Sequence, residues 1–288
     1  MTATAHFPLT WLYAPGDRPH VVGKALASGA DVVVIDLEDA VDPHRKAYAR
    51  AATAELLSEP PPVPVHVRVN AVDGPLADAD LDAVASRPGL AGLRLPKVTS
   101  ARQVVRVARR TERAGAAGRS PASRGSGPPL YALLESALAI EHAYAIARAH
   151  PSLRGVSLGE ADLRADLGVR QDGGLDWCRA RIVVAARAAG LAPPAQSVHP
   201  DIRDLEGLAA SCAHGRALGF LGRAAIHPRQ LPIIERAYLP TDRELEEAET
   251  IVKAATVDQG AQALADGRFV DAAVVAAARR TLALARRC

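Results

Sequence analysis

The sequence predicts an α/β protein built as a closed (β/α)₈ barrel of the TIM-barrel class, with a C-terminal helical extension that could act as a lid. Eight short apolar runs alternate with stretches of helical apolar spacing, which is the count that closes such a barrel. Polar and charged residues follow the C-terminal ends of these runs, and no comparable set precedes their N-terminal ends. An open, doubly wound sheet is the main competing fold.

The predicted strands are short and rich in Val, Ile, Leu and Ala, as expected of strands buried on both faces. They cover residues 10–14, 31–37, 63–69, 92–95, 130–134, 155–158, 196–199 and 223–226. The segments after them have amphipathic spacing and often begin at a capping residue or a Pro-Gly turn. The predicted helices cover residues 18–28, 44–57, 76–86, a segment from Ser100, 136–150, 175–189, 205–218 and a segment from about 230.

Two further amphipathic stretches, 242–255 and 272–287, are not needed to close the barrel. We therefore expect a barrel domain of residues 1–240 and a helical extension of residues 241–288. The extension should fold over its own barrel or reach a neighbouring subunit, and in the second case a homotrimer or hexamer is expected. Residues 118–129, rich in Gly, Ser, Pro and Arg, are typical of a flexible surface insertion.

Composition excludes several function classes. The 288-residue chain is 49% hydrophobic, yet no apolar run reaches the roughly 18 residues of a membrane span, and the stretch MTATAHFPLT lacks the basic region followed by an apolar one that is typical of a signal peptide. We expect a cytoplasmic protein with no membrane partner. Three distant cysteines disfavour a disulfide framework and a structural zinc. A net charge of +3 with 3% aromatic residues favours small anionic ligands over nucleic acid.

The stretch 130–166 carries the strongest chemical signal. Two apolar runs end in acids, the first at Glu135 and the second at Glu160 and Asp162. A strand, helix, strand unit of this length is a parallel crossover, so the two strand ends lie near each other. Glu135 and Asp162 could then hold one Mg²⁺, with Mn²⁺ as the alternative ion, because such hard cations prefer oxygen ligands. Alternatively, Ser136 caps a helix and Glu160 and Asp162 are solvated acids in a first turn.

Other charged residues at strand ends have two interpretations each. Arg68 either holds substrate oxygens or forms a structural ion pair with Glu38 or Asp39. Glu38 and Asp39 either orient Arg68 and metal-bound water, which we favour, or cap a loop. Lys97 either binds an anion or lies on the surface.

Turn residues and histidines complete the set of candidates. Pro15, Gly16 and Arg18 are predicted to form a substrate-binding turn, because backbone donors at a helix start together with a cation suit an anion. His199 and His227 are more consistent with packing or hydrogen bonding than with metal ligation.

Nine segments, in order from residue 12 to 275, resemble the HpcH/HpaI aldolase and citrate lyase beta-subunit family. They are LYAPGDRP, ASGADVVVIDLEDAV, HVRVN, LRLPKV, LLESALAIEHAYAIA, LGEADLRADLG, HPDIRDLEGL, ALGFLGRAAIHPRQ and DGRFVDAAVV. The segment GEADL departs from the family's more usual GAEDL, which leaves a role for Glu160 open.

The resemblance implies a Mg²⁺-dependent barrel enzyme that makes or breaks a carbon–carbon bond next to a carboxylate. It implies that Glu135 and Asp162 bind the metal and that Arg68 holds substrate oxygens. It also implies that Asp271 is a catalytic acid supplied by a C-terminal lid, commonly from an adjacent subunit. The plainer interpretation of Asp271 is a helix cap.

The expected reaction is lysis of a CoA thioester of a small 2-hydroxy dicarboxylic acid, such as malyl-CoA or citramalyl-CoA, into an acyl-CoA and an oxo acid, or its reverse. One alternative is a citrate lyase beta subunit whose acyl group arrives on an acyl carrier protein. Another is a non-catalytic barrel that binds acyl-CoA. The sequence does not determine the oxo acid, the acyl chain or the direction.

Overall fold

The computed structural model describes residues 7–116, 127–257, 262–263 and 269–285. Within these residues, seven parallel strands form one sheet in the spatial order β6-β5-β4-β3-β2-β1-β7. The strands are β1 (Thr10–Pro15), β2 (Val32–Asp36), β3 (Val65–Arg68), β4 (Leu90–Leu95), β5 (Leu130–Leu134), β6 (Leu153–Leu158) and β7 (Arg223–Ala225). Because all neighbours are parallel, the carboxyl ends of the strands lie at one edge of the sheet.

Helices connect successive strands and cover the sheet. They are α1 (Pro19–Leu26), α2 (Lys46–Leu56), α3 (Ala77–Val84), α4 (Ala101–Ala116), α5 (Ala137–Glu141), α6 (Ala143–Ala147), α7 (Glu160–Leu167), α8 (Asp176–Ala188), α9 (Leu205–Leu218) and α10 (Leu231–Tyr238). All five residues of β2 are buried, as expected of a parallel strand covered on both faces. The predicted alternation of strands and helices in an α/β fold is thereby confirmed.

The predicted strand at residues 196–199 is wrong. Only Gln196 pairs there, in an isolated parallel bridge to Arg223. The Gln196 amide donates to the Gly222 carbonyl at 3.0 Å, and the Ala224 amide donates to the Gln196 carbonyl at 3.0 Å. Pro194 and Pro200 flank the segment, and proline has no N–H to extend a ladder. In the described residues the sheet therefore has seven strands and is open, where eight in a closed barrel were predicted.

The single helix predicted between β5 and β6 needs correction, whereas the Ser136 cap and the helical position of the acids after β6 agree with the alternative interpretation of this stretch. The helix predicted at 136–150 is two short helices, α5 and α6, which meet at His142. Ser136 caps α5, since its hydroxyl accepts from the Ala139 amide at 3.3 Å. The acids after β6 lie on a helix, α7, which ends at Gly168 in the left-handed conformation with φ of 65°.

The chain divides into two compact units, residues 9–237 and residues 1–8 with 238–288. In the second unit, α11 (Asp242–Val257) packs against α12 (Ala272–Ala285), and β8 (Gln262–Ala263) pairs antiparallel with β9 (Phe269–Val270). The insertion predicted at 118–129 lies mostly outside the described residues. None of the described helices is both long enough and apolar enough to span a bilayer.

Candidate active site

A cavity of about 380 Å³ opens at the carboxyl ends of the parallel strands in the first unit. Its lining includes six polar side chains from strands β1 to β4, the end of β5 and the helix after β6: Tyr13, Asp36, Arg68, Arg94, Glu135 and Asp162. The structure thus brings Arg68, Glu135, Asp162 and Asp39 of the predicted set to one cavity. In parallel α/β sheets this edge is where ligands bind, because the loops that follow the strands converge there.

Asp36 holds Arg68 in a two-pronged ion pair. Arg68 Nε donates to Asp36 Oδ1 at 2.7 Å, and Arg68 Nη2 donates to Oδ2 at 2.6 Å. The two residues are register partners at the ends of β2 and β3. Asp36 also accepts the amides of Glu38 and Ala40 at 2.9 Å each, so one buried carboxylate fixes both the guanidinium and the turn after β2.

Glu38, Asp39 and Lys97 extend this network toward the solvent. Lys97 Nζ donates to Glu38 Oε1 at 2.9 Å and lies 3.7 Å from Asp39 Oδ1. Arg68 Nη1 lies 3.1 Å from Glu38 Oε2, without hydrogen-bond geometry, and 3.4 Å from Asp39 Oδ2. Burial raises the pKa of Glu38, and the Arg68 charge opposes the shift. The structural ion pair predicted as an alternative for Arg68 is therefore present, with Asp36 as its main partner.

Lys97 connects the network to Glu135 through its backbone. Its φ of 54° is left-handed, which is unfavourable for a residue with a Cβ. In this conformation the Lys97 amide donates to Glu135 Oε2 at 2.9 Å. The strained turn after β4 therefore positions the Glu135 carboxylate at the end of β5.

Glu135 is a buried acid with little compensation. Burial raises its pKa to about 7, and the negative charges of Glu38 and Asp162 act in the same direction. The Lys97 amide and the Arg68 charge oppose that rise without cancelling it. Among the described residues no hydrogen bond reaches Oε1, which lies against Gly159, where a Cβ would approach it to about 2.3 Å. A glycine at this position leaves Oε1 accessible at the cavity wall.

The two acids in the first turn of α7 differ sharply in their partners. Asp162 is exposed and lines the cavity with Glu135. Glu160 is bound by the buried Arg179, whose Nε and Nη2 donate to its two oxygens at 3.0 and 2.7 Å. The role of Glu160, which the sequence left open, is therefore a structural ion pair. Both acids lie in the first turn of α7.

The donor set at Glu135 and Asp162 fits a hard divalent cation. Two carboxylates that follow neighbouring strands line one cavity, and among the described residues neither forms an ion pair with a lysine or arginine, although the Arg68 and Lys97 charges act on them at longer range. Across the described residues, no three acid, histidine or cysteine side chains form a complete metal cage. Most of the coordination would thus be left to water and to a substrate's own oxygens, which is how Mg²⁺ is usually bound in proteins.

The remaining predicted residues lie elsewhere. Pro15 ends β1, Gly16 donates its amide to the Asp36 carbonyl at 2.9 Å, and Arg18 precedes α1 with an exposed side chain. Their role in substrate binding stays a prediction. His227 caps a 3-10 helix by accepting the Arg229 amide at 3.1 Å. Asp271, in the second unit, caps α12 by accepting the amides of Ala273 and Val274 at 2.9 Å each.

Sequence reasoning missed two charged residues of the cavity. Asp36 lies at the end of a predicted strand, close in sequence to Glu38 and Asp39, and only the strand register pairs it with Arg68. Arg94 lies inside β4, in the apolar run LAGLRL, and is 4% exposed. An arginine inside a predicted buried strand is a sequence signal, because charged side chains are rarely buried without a partner.

A carboxylate-lined and arginine-lined cavity at the carboxyl edge of a parallel sheet defines a site for a small anionic ligand, with the donor set for a divalent cation. A sequence profile of the HpcH/HpaI aldolase/citrate lyase family matches residues 9–228. The chain belongs to this family, and the resemblance seen in the sequence is confirmed.

Known proteins match over nearly the full length. Citrate lyase subunit beta of Escherichia coli (strain K12) is 34% identical over 95% of this chain and 92% of that protein. A (3S)-malyl-CoA thioesterase of Cereibacter sphaeroides (strain ATCC 17029) is 35% identical, with 99% and 97% of the two chains covered. The crystal structure of CitE from Mycobacterium tuberculosis in complex with magnesium, acetoacetate and coenzyme A matches with a TM-score of 0.79. It is 33% identical and covers 99% of this chain and 100% of that one.

Proposed function

We propose that this protein is a Mg²⁺-dependent carbon–carbon lyase that acts on a CoA thioester of a small 2-hydroxy dicarboxylic acid, in the direction of cleavage or of synthesis. The observation that carries the proposal is the shared cavity of Arg68, Glu135 and Asp162, in a chain of this family. Relatives named as a malyl-CoA thioesterase and a citrate lyase subunit support the thioester chemistry.

Cleavage breaks the bond between the thioester α-carbon and the carbinol carbon. The bonding electrons stay on the α-carbon as an enolate, and the hydroxyl proton passes to solvent water as the oxo acid forms. Glu135 and Asp162 would hold the Mg²⁺, which would supply Lewis acidity that lowers the pKa of the substrate hydroxyl. Arg68, held from behind by Asp36, would direct its remaining N–H donors at the oxygens of the 2-hydroxy acid.

A second cavity, of about 730 Å³, supports recognition of the CoA part. It adjoins the first through shared lining at Glu160, Ala161, Ser197 and Val198. Arg164, Arg170, Arg179 and Arg223 line it. Arg223 is buried, donates to Ser211 Oγ at 2.9 Å, and has no carboxylate partner among the described residues. Arg164 and Arg179 are already paired with acids, so Arg170 and Arg223 are the main candidates. Guanidinium groups suit phosphate oxygens, so this cavity is our proposed site for the phosphates of CoA.

Asp271 is the proposed acid that protonates the nascent α-carbon, supplied by residues 241–288 of a neighbouring subunit in a homotrimer or hexamer. Its capping role offers a clean test, because Asn caps a helix about as well as Asp. Asp271→Asn should therefore keep the unfolding free energy within about 0.5 kcal/mol. Turnover should fall by about 100-fold or more, as is typical when a positioned proton donor is lost. If Asp271→Asn kept full turnover, Asp271 would serve only as the N-cap of α12.

We further propose that the sheet closes into the (β/α)₈ barrel and that the protein acts in the cytoplasm. The bridge from Gln196 to Arg223 supports closure on the β7 side. On the β6 side, the Glu160 amide lies 3.4 Å from Ser197 Oγ. These two contacts support a place for residues 196–197 between β7 and β6.

Turnover of CoA esters tests the main proposal. Purified full-length protein is incubated with malyl-CoA and with citramalyl-CoA, with Mg²⁺ and with EDTA, and the acyl-CoA and oxo acid are quantified by chromatography. We expect metal-dependent release of both products. The E. coli relative favours one alternative, a citrate lyase subunit that needs an acyl carrier protein. Activity only with a carrier-bound substrate would support that alternative, and ligand binding without turnover of either substrate would leave a non-catalytic barrel.

A further inference from the structure

Arg94 is a buried guanidinium that the proposed reaction does not use. It is 4% exposed and lines the same cavity as Arg68 and Glu135. Its Nε is buried without a hydrogen-bond partner, and in the described part of the chain no acceptor or carboxylate pairs with any of its side-chain nitrogens. Isolated buried charges are unfavourable, so this position favours an anion from outside the protein.

The surroundings of Arg94 are aromatic and supply no negative charge. Its Cζ lies 5.8, 5.9 and 5.7 Å from the ring centroids of Trp11, Tyr13 and Tyr131. Ring faces attract a cation, but they leave the in-plane N–H donors of a guanidinium unsatisfied. His66, stacked on Tyr131 with centroids 4.6 Å apart, has a pKa lowered well below its usual value by burial and by the Arg94 charge. A neutral His66 adds no compensating charge.

The neighbouring arginine already uses the acid that lies at the end of β2. Arg68 and Arg94 are register partners on β3 and β4. Asp36 binds Arg68 with both of its carboxylate oxygens. The same oxygens also accept the amides of Glu38 and Ala40. Asp36 therefore has little capacity left for a second cation, and Arg94 stays without a counter-ion among the described residues.

The proposed substrates do not supply this counter-ion. Malyl-CoA and citramalyl-CoA each have one free carboxylate, because the other carboxyl group forms the thioester. The proposed function places that carboxylate at Arg68 and the metal site. An anion for Arg94 must therefore come from the solvent, and a monatomic ion would fill only a small part of a cavity of about 380 Å³.

We propose that Arg94 holds a small inorganic monoanion, of which chloride is the probe used below, and that this ion stays bound beside the substrate. The choice of an inorganic ion over a substrate carboxylate rests on the proposed function. A single negative charge matches one guanidinium, whereas a dianion would leave an excess buried charge near Glu135. Ser157 lines the same cavity, and its hydroxyl, which has no partner among the described residues, is a second available donor.

The dependence of the melting temperature on anions tests the site without requiring turnover. Full-length protein is compared in sodium gluconate and in sodium chloride at equal ionic strength, since gluconate is too bulky to be enclosed at a residue this buried. Chloride at about 0.1 M should raise the melting temperature by at least about 3 °C. Arg94→Met should lose at least about two-thirds of this rise, and Arg94→Gln serves if Arg94→Met does not fold. An unresponsive wild-type protein, or a full rise in the Arg94 variant, overturns the proposal.

The matched control is Arg148→Met. Arg148 also lies over a tyrosine ring, with its Cζ 5.6 Å from the centroid of Tyr144, but it is exposed and outside the lining of the cavity. Its variant should keep the full rise in melting temperature. A loss as large as that in Arg94→Met would assign the chloride effect to the general charge of the protein and overturn the proposal.

Tryptophan fluorescence locates the ion. Trp177→Phe leaves Trp11, which is 9% exposed and lies beside Arg94, as the only tryptophan. Iodide should quench its fluorescence along a saturating curve, and chloride should shift that curve to higher iodide concentration. Adding Arg94→Met should leave only weak, linear quenching. Linear quenching with Arg94 intact would place the anion elsewhere and overturn the proposal.

Pyruvate, an oxo acid with one carboxylate, separates the inorganic ion from a substrate carboxylate. Its dissociation constant, measured calorimetrically with Mg²⁺, should agree within about threefold between chloride and gluconate, because the two anions occupy separate positions. A larger increase in chloride would assign Arg94 to the substrate carboxylate and overturn the proposal. Absence of thioester turnover would leave the melting and quenching results unchanged, so the two proposals fail separately.

Discussion

The two halves of the cavity mouth handle charge in opposite ways. At the ends of β2, β3 and β4, three acids share two cations in one network of ion pairs: Asp36, Glu38, Asp39, Arg68 and Lys97. At the ends of β5 and β6, Glu135 receives one backbone amide, and neither Glu135 nor Asp162 forms an ion pair with a described lysine or arginine; the charges of Arg68 and Lys97 act on them only at longer range. The first half is thus ion-paired within the protein, and the second half has the charge that a metal ion would complete.

This difference teaches which residues act directly and which act through others. A carboxylate already bound to a guanidinium has little capacity left for an external cation, so Asp36 serves to position Arg68. Glu135 has a free oxygen at the cavity wall and a pKa raised by burial to about 7. Removal of one charge should therefore lower stability in the ion-paired half of the mouth, but not in the half that contains Glu135 and Asp162.

Glu135→Gln should give the largest effect on function. Removal of one of two proposed metal ligands should lower Mg²⁺-dependent turnover by at least about 1,000-fold. In EDTA the variant should be as stable as wild type or more stable, because a poorly compensated buried charge has been removed. The rise in melting temperature that Mg²⁺ gives the wild-type protein should disappear. Scanning fluorimetry with and without Mg²⁺ measures both effects.

The control for Glu135 is Asp166→Asn, which alters an acid of the same helix as Asp162. Asp166 accepts the Ala137 amide at 2.7 Å and is outside the lining of the cavity. Its variant should keep both turnover and the Mg²⁺ response. A normal Mg²⁺ response in Glu135→Gln would contradict the division of the mouth into two halves.

Asp36→Asn should give the largest effect on stability. It leaves Arg68 half-buried without its two-pronged partner, and breaking one side of a buried pair costs about 3 kcal/mol or more of unfolding free energy. Asp39→Asn, at the exposed end of the same network, should cost less than about 0.5 kcal/mol. Urea unfolding of the two variants compares them directly. Equal losses would show that the network is not anchored at Asp36.

The sequence predicted the strands and the cavity edge well for a physical reason. Buried parallel strands are short apolar runs, and their polar successors meet at one edge. Glu135 and Arg68 could be assigned to a common site because they lie at the end of such runs, and Asp162 because it lies in the short acidic segment that follows one. The assignment needed no knowledge of side-chain conformations.

The features that the sequence could not predict depend on the register between strands and on contacts between residues that are distant in sequence. The Asp36–Arg68 pair follows from the alignment of β2 with β3, which no local pattern specifies. The 196–199 segment has strand-like residues, but its prolines limit pairing to Gln196. The binding of Glu160 by Arg179 joins residues of two helices and requires the packed structure. These are tertiary facts, and local propensity carries no information about them.

Glu160→Gln sharpens the comparison at its least obvious position, because Glu160 lies only two residues before Asp162 yet is already neutralised. Arg179 keeps Asp172 Oδ2 and Asp176 Oδ1 on its Nη1, at 2.7 and 2.9 Å, when Glu160 loses its charge. The loss of unfolding free energy should thus be about 1 to 2 kcal/mol, smaller than for Asp36→Asn. The Mg²⁺-dependent rise in melting temperature should persist. If that rise vanished instead, Glu160 would belong to the metal site together with Asp162, and it would no longer count as a carboxylate with a purely structural partner.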